Sequence, residues 1–136
     1  MMEVYTVTTN LGSIQITKNA IAKLIIDAVG KFDGRVLLSN HRGRIMPFVQ
    51  KRGTMDGYSH MDITFKEDGI DVRIYVVIRF GTSITRVTNR LIEHIHESIQ
   101  QVTGTAPDSV AVVVAGTISK NMKRRNIEVK RQYDSE

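Results

Sequence analysis

The chain contains no cysteine among its 136 residues. Neither a disulfide nor a thiolate metal site can therefore form, which fits a reducing cytoplasm. Long apolar runs are also missing, because stretches such as 110–115 are far shorter than the ~20 residues of a membrane span. The first residues lack the basic, apolar and small-residue order of a signal peptide. We expect a cytoplasmic protein that reaches a membrane only through its surface or a partner.

Catalytic and cofactor-binding motifs are missing as well. The sequence has no Gly-x-Ser-x-Gly, no Walker loop and no Gly-x-Gly-x-x-Gly. His94 and His96 are two positions apart on a predicted helix, so they point ~200° apart and cannot chelate one metal. His41 and His60 have no carboxylate at ligand spacing nearby. We predict no enzyme, no catalytic residues, no cofactor and no metal site. A triad assembled in space leaves no motif, so a cryptic enzyme stays the third alternative.

Positive charge is concentrated in two segments. The net charge is +5, from 19 basic and 14 acidic residues. The segment 35–52 holds five cations and no acid, and the segment 120–131 holds six cations against Glu128. These segments supply the candidate surface for an anionic partner: Arg42, Arg44, Lys51, Arg52, Lys123, Arg124 and Arg125.

A nucleic acid is one such partner, and about five neutralised phosphates would give a log–log salt slope near −4.5. Only Phe48 and Tyr133 accompany these cations, which argues against a base-stacking mode. A solvated loop and tail is the plainer interpretation.

Periodicity in the first half predicts strands around one helix. Residues 3–9 could form a strand, and residues 12–17 alternate more clearly. Thr17 is a plausible N-cap, and Gly30 is expected to end the helix. The apolar stripe of this helix is Ile21, Leu24, Ile25, Ala28 and Val29. A short strand at 35–39 leads into a breaker-rich loop at 40–60, with a candidate strand near 45–50.

The second half carries the strongest pattern. Residues 61–66 alternate, 67–69 form a hairpin turn, and 70–80 alternate over eleven positions. Ser83 or Thr82 caps the next helix, and Gly104 ends it. Its stripe is predicted to be core: Ile84, Val87, Leu91, Ile95, Ile99 and Val102. The continuous apolarity of 109–115 predicts an inner strand.

These elements predict an α+β fold. Two helices should pack on one face of a mixed, mostly antiparallel sheet, a two-layer sandwich in the order β-α-β-β-α-β. We expect a single domain over residues 1–118 and a basic C-terminal tail over 119–136.

Four segments together resemble the alkaline-shock, or general-stress, family of bacterial cell-envelope stress proteins. Members show a valine-rich strand ending in aromatic-Gly, a helix opening with isoleucine, a Thr-Gly after it, and a Val-x-Val-x-Val-x-Gly strand. The matching segments here are Val72-Arg-Ile-Tyr-Val-Val-Ile-Arg-Phe-Gly81, Ile84-Thr-Arg-Val87, Val102-Thr-Gly104 and Ser109-Val-Ala-Val-Val-Val-Ala-Gly116. The opening Leu11-Gly-Ser-Ile-Gln-Ile-Thr17 is similar too.

The resemblance implies a cytoplasmic stress-response protein with no established catalytic residues. We therefore expect a non-enzymatic interaction or scaffold protein that acts through protein partners, a membrane-anchored one among them. We also expect it to form homo-oligomers through a sheet edge or a helix face. The alternative is a nucleic-acid or anionic-surface binding protein that uses the basic loop and tail.

Overall fold

The computed structural model describes residues 3–45 and 61–119. The predicted α+β class is confirmed, and the described residues contain two strands more than the predicted order β-α-β-β-α-β. In chain order the elements are β1 (Val4–Thr9), β2 (Gly12–Thr17), α1 (Lys18–Gly30), β3 (Val36–Ser39), β4 (Asp62–Lys66), β5 (Gly69–Arg79), α2 (Ile84–Thr103) and β6 (Ser109–Ile118).

Strand β5 organises the larger sheet. Its first half pairs antiparallel with β4, and its second half pairs antiparallel with β3. Strand β6 runs parallel to β5 along most of its length, with a register shift between Val76 and Val77. The sheet is therefore mixed and mostly antiparallel, as predicted. Strands β1 and β2 form a separate hairpin, which contacts the core through Tyr5 against Phe65, with ring centroids 5.9 Å apart.

Both helices pack against one face of β5. Every second residue of β5 is buried on that face: Ile70, Val72, Ile74, Val76 and Ile78. From α1 the core receives Ile21, Ala22, Ile25, Ala28 and Val29. From α2 it receives Val87, Leu91, Ile95 and Ile99. Burying each of the larger aliphatic side chains is worth roughly 1.5–3 kcal/mol.

The predicted core stripe of α2 is too long at both ends. Ile84 is 45% exposed and Val102 is 53% exposed. They lie in the terminal turns, where helix neighbours are present on one side only. The periodicity located the correct face of the helix, but it did not show where packing stops along that face.

Helix ends follow the predicted caps with one correction. Thr17 and Ser83 accept hydrogen bonds from the amides of Ala20 and Arg86, and Gly104 adopts the left-handed conformation at φ 81°. The helix ends at Gly30 as predicted, but Gly30 is its last helical residue and not the C′ residue, since Lys31 is the C-cap. Short-range bonds, including Asp33 N to Gly30 O at 3.4 Å, extend the turn beyond it. The first residues after α1 with a left-handed backbone conformation are Asp33 (φ 53°) and Gly34 (φ 83°).

Strand β6 is not the inner strand that its apolarity predicts. Within residues 3–45 and 61–119 it pairs with β5 alone, and most of its side chains are half-buried. The crossover through α2 places β6 on the free side of β5, and no described strand continues the sheet beyond it. Helices cover one of its faces, so its valines pack without a strand on each side.

The turn after β3 is described as far as Ile45, which forms an isolated bridge with Ser39. The rest of the strand predicted near 45–50 lies outside the described residues, and so do residues 120–136 of the predicted tail.

Candidate anion-binding cleft

Two of the seven sequence-predicted cations are described, Arg42 and Arg44. Both are exposed on a turn that Asn40 organises, because its Oδ1 accepts from the amides of Arg42 at 2.9 Å and Arg44 at 3.0 Å. Gly43 brings this turn against β6: a Cβ at its φ of 86° would lie 3.0 Å from the carbonyl oxygen of Ala115. The other five cations lie outside the described residues.

A different group of cations converges at the end of β5. An open cleft of about 590 Å³ lies between that strand end and the start of α2. Its walls bring together three arginines from three parts of the chain. The lining residues are Arg35, Arg79, Phe80, Gly81, Thr82, Ser83, Arg86 and Val87.

Backbone bonds fix two of these arginines side by side. The amide of Arg79 donates to the carbonyl of Arg35 at 2.9 Å, which extends the β3–β5 pairing by one step. The side chain of Arg79 is held as well, since its Nε donates to the carbonyl oxygen of Gly34 at 3.3 Å. Gly34 is available there because the turn after α1 passes the end of β5.

The third arginine arrives through a tight turn. Gly81 has φ 93°, a left-handed conformation that favours glycine, and the amide of Thr82 donates to the carbonyl of Arg79 at 3.2 Å. Ser83 then caps α2, so Arg86 falls in its first turn. The helix has no acidic residue in that turn.

The cleft carries positive charge that no described acidic side chain compensates by direct contact. Arginine stays positively charged at physiological pH, and like charges on directly opposed strand positions destabilise a sheet. Arg86 also lies at the positive end of a helix dipole. In the part of the chain that the structure describes, the ion pairs all involve Lys66. No described carboxylate therefore neutralises Arg35, Arg79 or Arg86 by direct contact.

Two apolar side chains stand beside the cleft. Phe80 is 70% exposed, although it directly follows a strand whose alternate residues are buried. Ile84, the first residue of α2, is half exposed four positions later. The cleft therefore combines guanidinium groups with an exposed aromatic ring, and the exposed Ile84 directly follows its lining residue Ser83.

Sequence reasoning did not identify this cleft. Only Arg35 belonged to a segment predicted to be basic, and nothing in the sequence connected it with Arg79 or Arg86. The available signal was a pair of cations flanking the Gly81–Ser83 break. The end of β6 also lies beside the cleft, because the amide of Phe80 donates to the carbonyl of Ile118 at 2.6 Å.

A polar cluster occupies the opposite end of β5. Lys66 Nζ lies 3.1 Å from Asp71 and 2.9 Å from Asp108. The Ser109 hydroxyl donates to Asp71 at 2.8 Å and, together with Lys66, lowers the pKa of that carboxyl. Hydrogen bonds to Asp108 and then Asp71 raise the pKa of Lys66. Within the described ranges, no group of three or more His, Cys, Asp or Glu side chains could hold a metal ion.

Comparison with known proteins identifies the family of this chain. Residues 6–119 match the alkaline shock protein 23 family, whose description is a cell envelope-related function. The chain belongs to this family. It is also 24% identical over 122 residues to the uncharacterized protein YqhY of Bacillus subtilis, a match that covers 89% of this chain and 87% of that protein. No solved structure matches.

Family membership confirms the resemblance inferred from the strand and turn motifs. Two of those motifs, Phe80-Gly81 and the opening Ile84 of α2, supply the exposed apolar residues beside the cleft. No helix among the described residues is both long and apolar enough to cross a membrane.

Proposed function

We propose that the protein is a non-enzymatic interaction protein of the cell-envelope stress response that works by binding protein partners, copies of itself included. Membership of a family with a cell envelope-related function supports the setting. The outer edge of β6 is the single observation that carries the binding mode.

Strand β6 has the properties of a strand to which another strand adds. It is ten residues long and contains no charge and no proline between Ser109 and Ile118. Among the described strands it pairs with β5 on one side only. An unprotected strand edge presents backbone donors and acceptors to a partner chain, and addition of a partner strand satisfies them.

The bulge limits where a partner strand can add. The register shift opposite Val76 and Val77 leaves Ala115 as the extra residue, and Gly43 packs against it. Bulges interrupt regular pairing. The usable edge is therefore the regular stretch from Ser109 to Val114. Pairing of two identical strands across a two-fold axis is the simplest way to satisfy it.

The test compares Val113→Lys with Gln100→Lys. Val113 lies within the usable edge and is not among the β6 valines packed on the core, and a lysine there opposes edge pairing. Gln100 is exposed on α2, so its variant adds the same charge elsewhere. Light scattering after size exclusion gives the mass of each protein, and a pull-down from native lysate gives the captured partners. Thermal unfolding by circular dichroism checks that each variant is folded.

We expect Val113→Lys, and not Gln100→Lys, to lose either self-association or a captured protein. A monomeric wild-type protein that captures nothing would contradict the proposed function. Association that survives Val113→Lys unchanged would show that β6 is not the binding edge.

A second candidate function is binding of an anionic partner, a nucleic acid or an anionic surface. The three-arginine cleft favours it, and so does the exposure of Arg42 and Arg44. Titration with RNA, with DNA and with anionic vesicles at two salt concentrations tests this candidate. Binding to phosphates must weaken as salt rises, because counterions are released on binding. Absent or salt-insensitive binding would contradict it.

A further inference from the structure

We infer that the cleft end of the molecule docks on an anionic phospholipid surface. In this arrangement Phe80 and Ile84 enter the boundary between headgroups and acyl chains, and Arg35, Arg79 and Arg86 contact the lipid phosphates. The inference rests on the second candidate function, anionic-partner binding, and names its ligand. It does not depend on the β6 edge.

Phe80 is exposed where the alternation of β5 would place a buried side chain. Five alternate residues of β5 are buried against the helices, yet the next residue in that alternation is 70% exposed. Ile84 is also exposed, although it opens a helix whose stripe is buried from Val87 onward. Exposed apolar side chains beside cations are the composition of surfaces that lie in a membrane interface.

The three arginines of the cleft form no ion pair with a described carboxylate. Each arginine close to an anionic leaflet strengthens binding by a factor of about five. Arginine also suits phosphate because its planar fork donates two parallel hydrogen bonds to phosphate oxygens. The Asp33 carboxyl lies in the turn before Arg35, flanked by Lys31 and Arg35, so that turn is also net positive.

The same observations disfavour a nucleic acid at this cleft. Single strands are held on several aromatic platforms, and among the residues that the structure describes Phe80 is the only aromatic one lining the cleft. The exposed chain of Ile84 offers nothing to a phosphate backbone or a base edge. A lipid interface uses both kinds of group at once, since its phosphates and its acyl chains lie within one side-chain length of each other.

The experiment measures co-sedimentation of the full chain with two kinds of vesicle, phosphatidylglycerol with phosphatidylcholine, and phosphatidylcholine alone. We expect binding to the anionic vesicles that weakens with salt over the range where the Debye length falls from about 10 to 3 Å. Inorganic phosphate and single-stranded RNA serve as competing probes, so that capture of a free phosphate or a nucleic acid is distinguished from docking on lipid.

Matched variants separate the two parts of the surface. Phe80→Ser should weaken vesicle binding roughly tenfold, because the buried aromatic area is lost. Leu11→Ser is its control, since Leu11 is 99% exposed on the β1–β2 hairpin turn, outside the cleft lining. Arg86→Gln should weaken binding about fivefold. Its control, Arg90→Gln, removes the same charge one turn further along α2, outside the cleft lining.

A tryptophan reporter gives a direct reading of insertion. The chain contains no tryptophan, so Phe80→Trp introduces a single fluorophore. Its emission should shift to shorter wavelength on anionic vesicles and be quenched by brominated acyl chains. Leu11→Trp should show neither change.

Three results would overturn the inference. One is absence of binding to the anionic vesicles, and another is binding that Phe80→Ser and Arg86→Gln leave unchanged. The third is RNA binding that excludes vesicles, with no shift of the tryptophan emission. That third result would support anionic-partner binding and contradict the assignment of lipid as the ligand. Absence of binding to vesicles, inorganic phosphate and RNA alike would contradict both.

Discussion

At the scale of single residues, Gly69 is required by packing and not by backbone conformation. Its φ lies outside the left-handed range, yet it is buried, and a Cβ added there would overlap the carboxylate of Asp108. To make room, that carboxylate would have to leave its ion pair with Lys66 at 2.9 Å, while the Asp108 amide donates to the carbonyl of Ile70 at 2.8 Å and holds the backbone in place. A hairpin turn that reads as generic in the sequence is therefore locked to the start of β6.

Gly69→Ala should lower the free energy of unfolding by about 1–3 kcal/mol, the usual effect of overpacking. Gly30→Ala is the matched control, since an added Cβ there meets nothing within 4 Å and the residue is helical. The control should raise stability by about 0.5–1 kcal/mol. Urea unfolding of both variants checks this, and equal effects of one sign would contradict the steric explanation.

The Asp71 carboxyl should make stability depend on pH at the acidic end. Its pKa is lowered by the Ser109 hydroxyl and by Lys66, so its contribution is fully present above the unfolded value of about 3.9. That contribution is lost as the pH falls through the lowered folded-state pKa. Lys66, whose pKa is raised, contributes below about 10.4 and loses its contribution as the pH rises through its folded-state pKa.

We therefore expect Asp71→Asn to flatten the decline in stability at low pH. Asp68→Asn, which removes a carboxylate from the adjacent turn, should leave that decline in place. Urea unfolding between pH 2 and pH 7 measures the effect, and NMR titration of the Asp71 carboxyl measures its pKa. Identical pH profiles for Asp71→Asn and the wild-type protein would refute the assignment.

At the scale of elements, α2 shows how burial varies along a single apolar stripe. Leu91 is fully buried between helix and sheet, whereas Val102 on the same stripe is half exposed. Thr103 takes a buried place at that end, because its hydroxyl lies 2.8 Å from the carbonyl oxygens of both Ile99 and Thr105 and can donate its proton to either. A polar residue thus replaces an apolar one at the end of the packed face.

Leu91→Ala should lower the free energy of unfolding by about 2–5 kcal/mol, because it leaves a cavity in the core. Val102→Ala should change it by less than about 1 kcal/mol, since half of the side chain already contacts solvent. Chemical denaturation of the two variants provides the comparison. Similar losses from both would mean that the terminal turn is packed more tightly than its exposure indicates.

At the scale of the whole molecule, the two ends of β5 carry different charges. The acids Asp71 and Asp108 are paired with Lys66 at one end of the sheet, and three arginines without a described ion pair lie at the other. Asp71 and Arg79 are eight residues apart on one strand, a separation of about 26 Å. The cationic end therefore faces away from the acidic cluster and can approach an anionic surface with the strands pointing towards it.

The sequence determined most of the elements and little of the site. Alternation over residues 70–78 specified β5 and its buried face, and the caps Thr17, Ser83 and Gly104 specified helix ends, because these signals are local in the chain. The cleft depends on Arg79 lying beside Arg35, forty-four positions earlier, and on the turn that returns Arg86 to them. Such proximity arises only from strand pairing, which spacing along the chain does not encode. For the same reason, the apolarity of β6 predicted a strand but could not show that, among the described strands, it pairs with β5 alone.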